Sequence, residues 1–275
     1  MNNKDLEKAK KELPDVQQTE DIRNKRINKV GIRELIIPIK IMEAKDNVRN
    51  TVGNISIYVS LSQEQKGTSM SRLVEVVHDV LEENVISSDI IRHILVKLRE
   101  VLGAEDSYVK LHFTYFAKRK APVSEKEGYI NIPCSFEGKN FNGEDKIYLR
   151  VKHMYTSCCP CSRDISDSGA HNQRSVADIL VELKGRIKIE ELIAIVDKNA
   201  SCEMYSILKR PDEKYVTEKA YNNPKFVEDV VRDIALDMDT LLDDQISDYV
   251  VVINHFESIH QHEAVAIINA GRNLK

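Results

Sequence analysis

No run of apolar residues in this 275-residue chain approaches the ~18 that a membrane-spanning helix requires, so no helical span is expected. Positive charge is not in excess either: 40 Lys and Arg stand against 44 Asp and Glu, a formal net charge of −4. No global basic field therefore draws in nucleic acid, although a local basic cluster can still hold a small polyanion. The stretch from Met1 to Asn28 is charged and lacks the apolar core of a secretory leader. Cysteine is sparse, with five residues, and in a reducing compartment five thiols give no disulfide framework. These absences lead to the expectation of a cytoplasmic protein with neither a membrane nor a nucleic acid as partner. What is present, 42% hydrophobic and 31% charged residues, suits a globular chain. The length allows one large domain or two modules of about 100–150 residues.

Residues 1–29 are polar, of mixed charge and broken at Pro14-Asp15; they read as a mobile lead-in, with order beginning near Val30. Leu35-Ile36-Ile37-Pro38-Ile39 suggests a strand at an edge or bulge, because proline cannot donate to a ladder. In residues 54–61, Ile55, Ile57, Val59 and Leu61 alternate with polar partners, the period of a half-buried antiparallel strand. Met70, Leu73, Val77, Val80 and Leu81 form one helical stripe. A second runs from Ile90 to Leu102 and stops at Gly103. Strands are expected again at 107–117 and 127–137. The order strand, strand, helix, helix, strand, strand then recurs: strands at 146–156 and 174–184, a helix at 188–199, a longer helix opened by Asn223-Pro224 as N-cap and N1, and strands at 248–257 and 263–269. Residues 203–218 read as a long charged connection between helices. This order predicts an α+β fold, an antiparallel sheet with helices layered on one face, whose open edges oligomerisation can cap.

The chemistry concentrates at residues 157–175. Ser157-Cys158-Cys159-Pro160-Cys161-Ser162 holds three of the five cysteines, and Gly169-Ala170-His171-Asn172-Gln173-Arg174-Ser175 follows. The pair Cys158 and Cys161 could belong to a structural zinc knuckle, but Cys134 and Cys202 supply no second pair. It could be a redox pair, but no following helix is apparent, or the thiols could simply be buried. The functional alternative is one thiolate on a catalytic metal, completed by histidine and carboxylate. His171 could serve chemistry, or merely sit where Asn172, Gln173 and Arg174 cap a turn. His255, Glu257, His260 and His262 share one strand–turn segment; on an extended strand His255 and Glu257 share a face and His260 lies opposite unless a turn intervenes. Lys66-Gly67-Thr68-Ser69-Met70-Ser71-Arg72 opens a helix with small hydroxyls and two cations, which suits phosphate, though capping alone selects the same residues.

Taken together, Lys66–Arg72, Cys159-Pro160-Cys161-Ser162, Gly169–Ser175, Leu208-Lys209-Arg210-Pro211-Asp212-Glu213 and Glu257-Ser258-Ile259-His260 resemble the GTP cyclohydrolase type IB family of the folate pathway, over roughly residues 30–270. The resemblance implies the tunnelling fold, two tandem β2α2β2 modules at 30–142 and 143–275, the second carrying most of the active site. It implies a homo-oligomer, expected to be a tetramer, that takes GTP, opens its ring at C8 and releases formate and 7,8-dihydroneopterin triphosphate, the first step towards tetrahydrofolate. It implies one divalent metal per site, Zn²⁺, Mn²⁺ or Fe²⁺. Cys159, Glu213 and His260 correspond to its ligands, with Glu203 a rival for Glu213 and Glu257 a further ligand or proton shuttle. His171 corresponds to the general acid/base, Glu228 to the carboxylate that anchors the guanine edge, and Lys66, Thr68, Arg72, Lys209 and Arg210 to triphosphate contacts. Cys158 stands where an apolar residue is expected. Two other readings remain open at this stage: a tunnelling-fold nitrile reductase with a nucleophilic cysteine, and a non-catalytic purine- or pterin-binding regulator with a structural zinc.

Overall fold

A computed structural model describes residues 16–44, 47–271 and 274 of the chain. Residues 1–15 of the expected lead-in lie outside this set; of its remainder, Val16–Gln18 form a turn of 3-10 helix and the first strand begins at Ile27. The strands are β1 (Ile27–Glu43), β2 (Asn47–Leu61), β3 (Val85–Ile86), β4 (Ser107–Lys120), β5 (Glu127–Phe141), β6 (Glu144–Cys158), β7 (Asn172–Leu183), β8 (Cys202–Glu203), β9 (Ile246–His255) and β10 (Ala264–Asn269). The helices are α1 (Met70–Glu83), α2 (Ser88–Leu102), α3 (Pro160–Ile165), α4 (Ile189–Asn199), α5 (Arg210–Asn222) and α6 (Val227–Asp239). No helix among the described residues is long and apolar enough to cross a membrane.

All ten strands join one sheet in the order β10-β9-β7-β6-β5-β4-β2-β1-β3, with β8 pairing the end of β6. The long neighbours are antiparallel, and only the two-residue β3 pairs β1 in parallel. Pro38 lies on β1 opposite Val52, and beyond β1 there is only β3. The expected edge position therefore holds. Alternation along the strands feeds a single core: Ile55, Ile57, Leu111, Leu149, Val151, Ile179, Val181, Val251 and Ile253 are fully enclosed beneath Leu73 and Val77 of α1, Ile94 and Leu98 of α2, Leu192 of α4 and Ile234 of α6. Each such side chain contributes roughly 1.5–3 kcal/mol by leaving water. The helix stripes read from the sequence are thus the faces that lie on the sheet.

Two local readings are corrected. Residues 203–218 are not an unstructured connection, because α5 occupies Arg210–Asn222. That helix is polar on nearly every side and buries only Asp212 and Ala220, so it shows no apolar stripe. The last long helix does not open at Asn223-Pro224: it starts at Val227, and Asp229 accepts from the Phe226 N–H at 2.9 Å. Asn223 instead ends α5, and its amide donates to the carbonyls of Ala200 and Ser201.

Asp212 ties α5 to the other half of the sheet. Its carboxylate, fully enclosed, accepts from the N–H groups of Val123 and Ser124 in the β4–β5 turn, from Ser124 Oγ and from the N–H of Lys209. Burial alone would raise this carboxyl, but the donors from Ser124, Lys209 and Val123 hold it well below the usual carboxylate range. Asp212→Ala strands four donors, so its thermal midpoint should fall further than that of Asp212→Asn, which keeps an acceptor for the turn. Equal melting of wild type and Asp212→Ala by scanning calorimetry would show that this anchor carries no stability.

Candidate active site

The ladder between β6 and β7 continues to the pair Cys158–Asn172, so the residues just beyond it, Cys159 and His171, face each other across the strand ends. Twelve residues separate them in sequence, yet the Cys159 N–H donates to the His171 carbonyl at 3.1 Å. The connection folds back through the short helix α3, capped by Cys159 with Pro160 in its first turn, and through Gly169, whose φ of +85° suits glycine. Ser162 Oγ accepts from the His171 N–H at 3.2 Å and fixes the return. The helix after Cys158-x-x-Cys161 that the sequence did not reveal is therefore present, although it is only six residues long.

The three neighbouring thiols differ sharply. Cys158 is 2% exposed and packs with Cys202 and Ala220, where burial pushes its thiol up. Cys159 is half-buried and Cys161 exposed, and all five cysteines are free. As the helix cap, Cys159 makes no side-chain capping bond, so its sulfur is not committed to structure.

Behind this pair, the core-facing alternation of the strands turns polar. On β6 the enclosed series Leu149, Val151, His153 continues into Tyr155 and Ser157; on β7 Val181, Ile179, Ala177 continues into Ser175 and Gln173; on β9 Val251, Ile253 continues into His255. Register sets Tyr155 opposite Ser175, Ser175 opposite His255, and Ser157 opposite Gln173. Side-chain hydrogen bonds follow: His171 Nδ1 to Gln173 Oε1 at 2.9 Å, Gln173 Nε2 to Ser157 Oγ at 2.9 Å, Ser157 Oγ to Ser175 Oγ at 2.8 Å, and Tyr155 Oη to His255 Nε2 at 2.9 Å. Glu257 closes the group, with Oε2 3.6 Å from His171 Nδ1 and Oε1 3.9 Å from His255 Nδ1. His255 and Glu257 do share a face, as alternation implies. The turn after β9, in which the His260 N–H donates to the Glu257 carbonyl, carries His260 away to the surface.

The remaining residues singled out in the sequence are more dispersed. His260 is exposed and stacks on His262 with ring centroids 4.8 Å apart. Glu213 is exposed in the first turn of α5, next to the backbone of Lys209 and Arg210. Glu203 on β8 pairs with Lys219 at 2.5 Å and lines a cavity of about 370 Å³ with Gln173 and Arg174. Glu228 is exposed in the first turn of α6 and close enough to His255 to oppose its loss of charge. Thr68 and Arg72 line a different cavity of about 350 Å³, with Ser69 capping α1 through the Arg72 N–H. No residue of the second-half cluster lines that cavity. Thiolate, imidazole and carboxylate are apt donors for a divalent metal, and Cys159 has a sulfur free for it. Even so, among the described residues no three His, Cys, Asp or Glu side chains are placed to hold one. Cys159, Glu213 and His260 are not gathered within a single chain. Sequence reasoning assigned no role to Tyr155, Ser157 or Ser175 and left open whether Gln173 caps a turn or accompanies a chemically active His171; their signal was the continuation of core alternation into hydroxyl and amide residues.

Burial lowers the His255 imidazole to about 4, a shift that Glu228 only partly offsets. Since the folded value lies below the ordinary 6.5, the stability gained from a neutral His255 is complete above about pH 6.5. It erodes as pH falls and is spent below about pH 4, a loss on the order of 3 kcal/mol. Urea unfolding between pH 7 and pH 4 should therefore fall more steeply for wild type than for His255→Gln; parallel profiles would refute the assignment.

The family model for type I GTP cyclohydrolase folE2 matches residues 13–266. Relatives include the GTP cyclohydrolase FolE2 of Desulfosudis oleivorans, 42% identical over 261 residues, which cover 94% of this chain and 99% of that one. The FolE2 of Nitrosospira multiformis is 44% identical over 260 residues, 94% of this chain and 97% of that one. Among solved structures, the uricase of Arthrobacter globiformis superposes with a TM-score of 0.54 at 6% identity, covering 90% of this chain and 96% of that one. The urate oxidase of Bacillus subtilis gives a TM-score of 0.52, also at 6% identity, over 88% and 97% of the two chains. This likeness is one of fold, the tunnelling fold, in which an antiparallel sheet carries its helices on one face.

Proposed function

Because this chain belongs to the FolE2 family of type I GTP cyclohydrolases, we propose that the Cys159–His171–Glu257 cluster is the centre at which it opens GTP for folate biosynthesis. The observation that carries this reading is that, inside a match extending over residues 13–266, the Cys159 N–H bonds the His171 carbonyl at the β6–β7 strand ends and the Glu257 carboxylate lies 3.6 Å from His171 Nδ1. Neither a nitrile reductase nor a non-catalytic regulator draws support from that match.

In this reading His171, beside a carboxylate 3.6 Å from its Nδ1, moves the proton as water adds at C8 and formate leaves. Glu257 stabilises the charge that appears on the imidazole. Glu228 holds the guanine: a carboxylate only accepts, so it pairs with the N1–H and the 2-amino donors together, and the first turn of α6 favours its ionised form. Lys66, Thr68, Arg72, Lys209 and Arg210 neutralise the triphosphate. Since Thr68 and Arg72 line a cavity apart from the second-half cluster, a neighbouring copy supplies them in a homotetramer. The halves at 30–142 and 143–275 act as tandem modules, and the enzyme works in the cytoplasm.

One divalent metal, Zn²⁺, Mn²⁺ or Fe²⁺, completes the site, held by Cys159, His260 and either Glu213 or Glu203. Its assignment rests on donor chemistry and requires the exposed donors to come together on assembly. When bound, such a cation supplies the Lewis acidity that makes water nucleophilic near neutral pH.

Anaerobic incubation of the purified protein with GTP and each metal in turn should yield formate and a neopterin product by chromatography; no product with any metal would overturn the reading. Cys159→Ala should abolish turnover and metal retention, whereas Cys158→Ala and Cys161→Ala keep both. Metal loss from Cys158→Ala alone would show that the ligand is the other thiol. Glu228→Gln sets a donor against a donor and should weaken GTP binding by about 2–3 kcal/mol with metal content unchanged. Equal affinity by calorimetry would move the purine anchor to Glu218 or Glu203.

A further inference from the structure

The side chains behind His171 form a hydrogen-bonded chain, His171 to Gln173 to Ser157 to Ser175, beside a second pair, Tyr155 and His255, with the Glu257 carboxylate 3.6 Å from His171 Nδ1 and 3.9 Å from His255 Nδ1. We propose that Gln173 is a positioning residue, and that its amide, held by Ser157, locks His171 in the tautomer with hydrogen on Nδ1, so that Nε2 enters the reaction as a base. The proposal rests on the reading of His171 as the group that moves the proton.

The hydrogen-bond directions follow from the Gln173 amide. Its oxygen can only accept, and it stands 2.9 Å from His171 Nδ1, so that ring nitrogen carries the hydrogen. Its nitrogen can only donate, and it gives to Ser157 Oγ at 2.9 Å. Ser157 Oγ is in turn 2.8 Å from Ser175 Oγ, directly across from Tyr155 on the neighbouring strand. Glu257 Oε2, 3.6 Å from the same Nδ1, adds a negative charge that favours hydrogen on that side of the ring. Ser157 and Ser175 are fully enclosed and Gln173 nearly so, which keeps water from replacing these partners.

The test reads the tautomer directly. Full-length protein labelled with ¹⁵N-histidine, its His171 signals assigned by comparison with His171→Asn, should show long-range ¹H–¹⁵N correlations of the Nδ1–H form near pH 7.5. The Nε2–H form would overturn the proposal, and this arm needs no variant of Gln173 to fold. In Gln173→Leu, checked for folding by circular dichroism, the signals should shift to a mixture of tautomers. There kcat for GTP should drop about 10–100-fold with KM little changed, the usual cost of removing a partner that orients a histidine. A pure Nδ1–H signal in Gln173→Leu, or an undiminished kcat, would show that Gln173 does not set the tautomer. The tautomer readings use no substrate, so absence of GTP turnover would overturn the proposed activity while this proposal is still decided by the spectra.

Discussion

The pairing register of β6 with β7 is the constraint on which the rest of the site depends. Side chains alternate across a strand, so a slip of one residue would send Tyr155, Ser157, Gln173 and Ser175 to the opposite face and break their hydrogen bonds. What holds the register is not the polar row but the apolar rows before it, Leu149 opposite Val181 and Val151 opposite Ile179, all fully enclosed under the helices. Hydrophobic burial, which has no direction of its own, thus sets hydrogen-bond geometry four residues further along the same strands. It also decides that Cys159 and His171 meet, because both stand one step past the last rung.

Polar groups enclosed this far must be paired, and the pairing is what makes the end of the sheet specific. A second enclosed polar anchor, Asp212, works by the same rule at a distance. By accepting from the β4–β5 turn and from the start of α5, it brings the backbone of the first half against the helix start that carries Lys209, Arg210 and Glu213. His255 stands between the two ends of the site: its Nδ1 lies 3.9 Å from Glu257, the carboxylate beside His171, and it feels the charge of Glu228 on α6. The carboxylate expected to hold the purine and the imidazole expected to move the proton are therefore connected through one neutral histidine.

Where the sequence could be read, periodicity was the reason. The strands around Ile55, Leu111, Leu149 and Ile253 and the stripes of α1, α2 and α6 follow from burial on one face, and that rule acts locally. It failed on α5, which buries one carboxylate and one alanine, because such a helix is stabilised by its caps and its tertiary anchor and not by a stripe. It misplaced the start of α6 because Asn223-Pro224 has the chemistry of a helix opening; the tertiary structure engages the Asn223 amide with Ala200 and Ser201 instead.

Composition, charge, the strand–helix order and the motifs around Cys159, His171 and Glu257 are properties of the chain taken residue by residue, and the sequence by itself determined them. The tertiary structure alone decided which hydroxyls and amides stand behind His171. Nothing local joins Tyr155 to His255 or Ser157 to Ser175 until register brings their strands together, and hydrogen bonds between strands depend on partners that no local pattern specifies.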